Sequence, residues 1–454
     1  MSAPRRALDD LTLPLPGADD VRALAALTAE PDWLVADRVE AAGRLAELPI
    51  EPNRLYTGYV DFRTADLGAI EPIGPGRPGT VATATLPDGA DAVIELVEDG
   101  VAGVALSAAA TKAGLELLPL GDAVRSSALA RRLVEGGPLL PADERLAALA
   151  RAGWTRGVWL RAPKGAQLEK PIVIRWALGA PGRALSSRTV ISVGEGASIS
   201  ILEELEGSPA GRAAGASGSA AQTAFGGTLE IDLEAGSSLR LASIQDLPGN
   251  VVAFQHRFAR IGDGASLMWA LAQLGCRLVR SRVDNRLVGD GSSVEQIEIL
   301  FGGGDQLFDL TSYTRHIGRD TTGNLLSKGA LQDESRAYLK GLITIEKSAV
   351  GTDSFLGEFG MNLSKESRSV AIPSLEIDQP DCRRAAHSSS VGPIDESQLF
   401  YLESRGIPRD EARKFIVLGF LEPVVARVPL PDVQERLRGL LESKWAAGRR
   451  SAVA

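Results

Sequence analysis

Five times between residues 165 and 294 the chain repeats one short pattern: glycine, a small residue, any residue, then an apolar one. It reads GAQL at Gly165, GASI at Gly196, GSSL at Gly236, GASL at Gly264 and GSSV at Gly291, at intervals of 31, 40, 28 and 27 residues. A leading glycine permits a left-handed turn, and the apolar residue three places on can open a strand whose alternate side chains face inward. A unit of this length buries its apolar face only by lying on its neighbour. The repeat therefore predicts a stacked β-solenoid, with a β-sandwich of similar turns as the other arrangement it allows. The long interval contains GSPAGRAAGASGSAAQTA at 207–224, a small-residue insertion read as a mobile excursion without chemistry of its own.

The β texture runs from about 156 to 373, and helical periodicity flanks it. Residues 1 to about 15 read as a flexible arm. Two helical runs then meet at Pro31 and Asp32, with Pro31 stopping the first and Asp32 capping the second. Strands are expected within 79–105, and AVRSSALARRLVEGG and ADERLAALARAGW return to helix. Three helices close the chain. The first opens on Asp395 with Gln398 in capping-box positions and ends at Gly406; Pro408 starts the second; the third carries Val433, Leu437, Leu440 or Leu441, and Trp445 on one stripe. The expected division is 1–155 helical and mixed, 156–393 β core, and 394–454 helical.

Several function classes are excluded by what the chain lacks. With two cysteines (Cys276, Cys382) and three histidines (His256, His316, His387), it has no local Cys/His set for a self-contained zinc or iron–sulfur site. A net charge of −9 argues against nucleic acid or an anionic membrane as partner. No apolar run approaches a membrane span and no secretory h-region follows the first arginines, so a cytoplasmic location is expected. Walker A, nucleophile-elbow, HExxH and dinucleotide signatures are missing, and FGGGDQ at 301–306 reads as a turn.

Candidate chemistry is sparse. Asp309, Glu334, Glu376 and Asp378 are the carboxylates a glycosidase on a solenoid would draw on, and SLEIDQ sets Glu376 and Asp378 on one strand face. Surface carboxylates are the other reading. His256 and His316 sit beside arginines in strands and read as hydrogen-bonded structural histidines. His387, in PDCRRAAHSSSVGPIDE, stands between the β body and the closing helices among small residues that allow close approach by another chain. It can supply one metal ligand or move a proton, but one ligand does not make a site. Cys382 precedes it by five residues, roughly 16 Å along an extended strand, too far for both to reach one ion without a turn.

Taken together, LKGLITIEKSAVGTDSF at 339–355, NLSKESRSVAIPSLEI at 362–377, HSSSVGPIDESQLFYLESRGIPRDEARKFIVLGF at 387–420 and the closing VPLPDVQERLRGLLESKW resemble the SufB/SufD family of iron–sulfur cluster assembly proteins, and within it the SufD branch. GDGASLMWALAQLGCRLVRSRVDNRLVGDGS at 262–292 and TRGVWLRAPKGAQLEKPIVI at 155–174 resemble its middle and entry regions, and the segment around Trp33 and Arg38 resembles its N-terminus. The resemblance implies a mainly β protein: a right-handed parallel β-helix flanked by helical regions. It implies a non-catalytic subunit that pairs with a SufB-like paralogue and docks the SufC-like ABC ATPase, or forms a homodimer when isolated. No cofactor is held by the chain alone; a transient iron–sulfur cluster or iron belongs to the complex. His387 matches the histidine at the heterodimer interface, where it could serve as a metal ligand shared with the partner. Glu376 and Asp378 are candidates for the same interface, and Leu399, Phe400, Arg405 and Phe420 for the ATPase-docking region. Relatives often read CSH where this chain reads AAHSSS, so the companion cysteine is absent. A SufB-like scaffold and a β-solenoid carbohydrate-active enzyme are the alternatives.

Overall fold

The computed structural model describes residues 15–74, 82–98, 100–217, 221–428 and 431–451. Its body is a mainly β solenoid of about eight turns with helices at both termini. Successive strands alternate between two ten-stranded sheets, and within each sheet the strands of the solenoid are parallel. One sheet runs from Glu116–Pro119 to Arg368–Ile377, the other from Gly100–Leu106 to Arg384–Pro393.

The glycine pattern forms the corner of five successive turns. Its third residues stack in register as Gln167, Ser198, Ser238, Ser266 and Ser293. All five leading glycines are left-handed, with φ between +58° and +70°, and each amide from Gly165 to Gly291 donates to a carbonyl on the next coil. The ladder continues where the pattern fades. Asp320 (φ +54°) and Gly351 (φ +76°) hold the next two corners, and Asp tolerates the left-handed region better than most side chains. Apolar side chains such as Ile199, Leu239, Leu267 and Val294 follow each corner into the interior core.

Four strands before residue 156 belong to these sheets: the two-residue Glu71–Pro72, parallel to Arg183–Val193, and three that lie at one end. Ala92–Val97 pairs parallel with Ile172–Leu178 and antiparallel with Gly100–Leu106; Glu116–Pro119 pairs antiparallel with Arg156–Ala162. With Ala110, Leu115 and Leu117 packed into the interior core, they seal the N-terminal end of the solenoid. The insertion contributes a helix, Pro209–Ser217, where an excursion was expected: Ser208 Oγ accepts from the Gly211 amide, and the alanine-rich sequence favours helix once capped. The N-terminal arm lies outside the described residues up to residue 14. Helix Asp32–Arg44 has Pro31 at its N-cap, so Asp32 is its first helical residue and makes no capping bond.

Each sheet's outer face is covered. Ile50, Val60, Phe62, Leu67 and Ile70 pack on Val252, Phe254, Leu278 and Leu307 of the first sheet. Over the second, Val417, Leu421, Val433, Leu437, Leu441 and Trp445 pack on Ala242, Ile244, Ala270, Ala272 and Ile297. Alanine-rich strands let these helices approach closely.

Candidate functional site

The opposite end of the solenoid is unsealed. Arg368–Ile377 and Arg384–Pro393 each pair with one neighbour, Arg336–Ile345 and Asp353–Asn362 respectively, and each ends its sheet. In a parallel ladder such a strand pairs about half its backbone groups, leaving the rest for water or another strand. Beneath them Leu325, Ile343, Ile345 and Leu356 are buried, but the covering Leu375, Cys382 and Ala385 are only partly so. Ile377 and Val391 are 46% and 44% exposed. Apolar side chains half in water on two free edges describe an unfinished solenoid.

His387 sits in the middle of this end. It pairs in register with Leu356, whose side chain belongs to the interior cluster, so the histidine stands on the inward-facing row of the last strand. Its side chain is exposed and has no hydrogen-bond partner among the described residues. The two arginines of RRAAH are engaged with earlier coils. Arg383 pairs with Asp320, while Arg384 Nε donates to Asp353 Oδ1 at 2.7 Å and its guanidinium lies 5.8 Å from the Phe355 ring centroid. They brace the strand and leave the histidine to face outward from the end. Cys382 packs on the apolar cluster before the strand begins.

The structure separates the predicted carboxylates. Glu376 pairs with Thr344, one position off the inward row of Ile343 and Ile345, and accepts from Thr344 Oγ1 at 3.4 Å on the outer side. The strand ends at Ile377, so Asp378 lies beyond it and does not share a strand face with Glu376. Asp309 is buried and ion-paired with Arg280 at 2.6 Å and Lys340 at 2.5 Å, whereas Glu334 is on an exposed turn. Among the described residues no group of three His, Cys, Asp or Glu side chains could hold a metal.

The first closing helix, Glu396–Ser404, extends directly from the exposed last strand. Asp395 accepts from the Ser397 amide at 2.8 Å and fixes its start. Leu399 is buried in the helix–sheet core, and Phe420 is partly buried, with Lys328 Nζ 4.7 Å from its ring centroid. Phe400 is 72% exposed, Arg405 is exposed with its guanidinium 5.0 Å from the Tyr401 ring centroid, and Tyr401 and Phe415 are also exposed. Tyr401 and Phe415 escaped the sequence reading. Leu399 and Leu402, three residues apart, mark the packed face of the first closing helix and Tyr401 lies off it, while Phe415 belongs to the next helix, Arg409–Val425.

The other two histidines are buried. His316 bonds Thr321 Oγ1 at 2.8 Å and Ser354 Oγ at 3.0 Å, and burial pushes its pKa down to about 4. His256 lies 3.4 Å from Glu144, but neither ring nitrogen is hydrogen-bonded, and burial with nearby Arg282, Arg280 and Arg257 keeps its pKa well below the usual value.

Physically this is a β-solenoid sealed at one end and open at the other. Residues 177–420 match the core domain of SufBD proteins of the SUF iron–sulfur cluster assembly system, and the chain belongs to that family. It is 30% identical over 319 residues, 68% of this chain and 76% of the relative, to an iron–sulfur cluster assembly SufBD family protein of Mycobacterium tuberculosis. It is 28% identical over 303 residues, 66% of this chain and 67% of the relative, to the iron–sulfur cluster assembly protein SufD of Bacillus subtilis. A SufBD family protein of Staphylococcus saprophyticus is 27% identical over 297 residues, 65% of this chain and 62% of the relative. The chain is thus an iron–sulfur cluster assembly protein. Among the described residues no helix is long and apolar enough to cross a membrane.

Proposed function

We propose that this chain is a non-catalytic SufD-type subunit. It joins a SufB-like paralogue through the open end of its solenoid and docks a SufC-like ABC ATPase on its closing helices. The unsealed pair of strands, Arg368–Ile377 and Arg384–Pro393, carries the reading. A second parallel solenoid end supplies the main-chain groups these edges lack and covers Ile377 and Val391. His387 then lies inside the joint, where a neutral imidazole can hold iron or shuttle a proton beside ligands from the partner. Iron and the nascent cluster are cargo of the joint. In isolation the same edges pair with a second copy of the chain. Phe400, Tyr401, Arg405 and Phe415 offer the ATPase an aromatic and cationic surface, with Leu399 and Phe420 supporting it from within.

Coexpression of the tagged chain with a SufB-like and a SufC-like protein tests this under anaerobic conditions. The expected result is a stoichiometric ternary complex that accumulates iron and acid-labile sulfide. His387→Ala should leave that complex intact and lower its cluster yield. A partner-free monomer would overturn the assignment, and wild-type yield from the intact mutant complex would remove His387 from the chemistry.

A further inference from the structure

A cavity of about 480 Å³ lies outside the solenoid, between the first sheet and the N-terminal helices. Its size falls within the range of small-molecule sites, roughly 300–1,000 Å³. The reason for the space is legible residue by residue. On neighbouring strands the outward row carries Val252, Leu278 and Leu307, which fill against Phe62 and Val60. At the cavity the floor is instead Ala184, Ser186, Ala224 and Gly226, and a Cβ built on Gly226 would meet only one atom within 4 Å, the Leu185 carbonyl oxygen at 3.9 Å. Helices Ala18–Thr28 and Arg145–Gly153 form the roof with Leu24, Leu27, Leu146 and Leu149. Leu27 is 68% exposed, so the mouth opens to solvent through an apolar rim.

One wall is different. Thr228 and His256, paired in register on adjacent strands, line it. Thr228 is already committed to Glu230 at 2.9 Å. His256 is 2% exposed, and both of its nitrogens lack a hydrogen-bond partner. A buried imidazole left unsatisfied is costly unless something completes it. Burial, with Arg282, Arg280 and Arg257 nearby, disfavours a cation there. A neutral imidazole offers one N–H and one lone pair, and Glu144 Oε2 already stands 3.4 Å from Nδ1; in the tautomer protonated at Nε2 the nitrogen left over is a donor that an acceptor oxygen completes, and the remaining walls accept a hydrocarbon chain.

We propose that this cavity binds an acyl chain, its tail between the two helices and the Ala/Gly floor and its carbonyl or carboxylate oxygen accepting a hydrogen bond from His256. A free fatty acid and an esterified acyl group share that chemistry. The test uses the full-length chain with two probes, dodecanoate and methyl dodecanoate, and reads binding by calorimetry and the side-chain nitrogen resonances of the three histidines. Saturable one-to-one binding of either probe, with the His256 resonances shifting and those of His387 unmoved, is expected; dodecanoate alone identifies a free acid, and both together an acyl group in general. Gly226→Leu fills the floor and should weaken binding at least roughly tenfold. Ala23→Phe, at an exposed rim position, should weaken it without entering the core, which keeps the test open if the first variant folds poorly. Failure of both probes to bind overturns the proposal, as does binding that neither folded variant weakens. Binding that appears only after removal of residues 1–14 also overturns it, because the chain itself would then be the occupant.

Discussion

Glu51→Ala should destabilise the protein by about 3 kcal/mol at neutral pH. Glu51 is 3% exposed and joins the N-terminal region to the outer face of the first sheet. Its carboxylate accepts from Arg280 at 2.8 Å and from the Asn53 amide at 3.0 Å, and lies 3.9 Å from Lys340 Nζ. Arg280 and Lys340 also pair with Asp309, so two cations share two carboxylates out of water. Removing one partner of a buried pair ordinarily costs roughly 3–5 kcal/mol. Lysine provides the ceiling here, because neutralising an ordinary Lys at pH 7 costs about 4–5 kcal/mol and relieves the excess charge. Burial already lowers the Lys340 pKa against the pull of Asp309, so its deprotonation costs less than that. Two consequences follow from the same balance. The penalty shrinks toward pH 9, and Glu51→Ala combined with Lys340→Met, which leaves Arg280 facing Asp309, recovers much of the loss. Urea unfolding followed by tryptophan fluorescence measures all three proteins. A loss below about 1 kcal/mol, or a double mutant no better than the single, refutes the charge accounting.

Gly264→Ala should cost about 1–2 kcal/mol although its Cβ would meet nothing within 4 Å, since φ is +58°; urea unfolding should show Gly264→Asn costing less. Burial pushes the Glu358 carboxyl up to about 7, so the folded chain holds that proton more tightly than the unfolded one. Its stabilisation is complete below the ordinary glutamate range near ~4.3 and is lost as pH rises through about 7. Glu358→Gln, which keeps an acceptor for the Ile372 amide, should flatten the fall in stability between these limits by up to about 4 kcal/mol, as read from melting curves across pH. Phe400→Ala should leave unfolding within about 0.5 kcal/mol of wild type while weakening capture of the SufC-like ATPase in a binding assay.

The solenoid was legible because its corner needs a left-handed residue every turn, and glycine at Gly165, Gly196, Gly236, Gly264 and Gly291 advertises that need. The signal faded at Asp320, where a side chain serves in glycine's place, and a search for glycine passes over it. The closing helices were legible through caps and, in the last of them, the stripe of Val433, Leu437 and Trp445, whereas the burial of Leu399 came only from the fold. What the sequence hid were relations between distant residues. Nothing local marks Glu51 and Lys340, and only the fold of the N-terminal region over the sheet brings them together. Likewise His256 read as a satisfied strand histidine, because nothing local reveals that its neighbours leave both nitrogens bare. The pairing of Glu376 with Asp378 failed for a local reason, the strand ending one residue before the second carboxylate.

The central claim is that the open end of the solenoid is where this SufBD protein joins its paralogue. Amide hydrogen exchange, measured on the chain alone and in complex with a SufB-like subunit, addresses it most directly. The account predicts strong protection on complex formation along Arg384–Pro393 and Arg368–Ile377, with the covered outer face of the second sheet unchanged. Protection elsewhere, with these two strands exchanging as fast in the complex as in isolation, would contradict it.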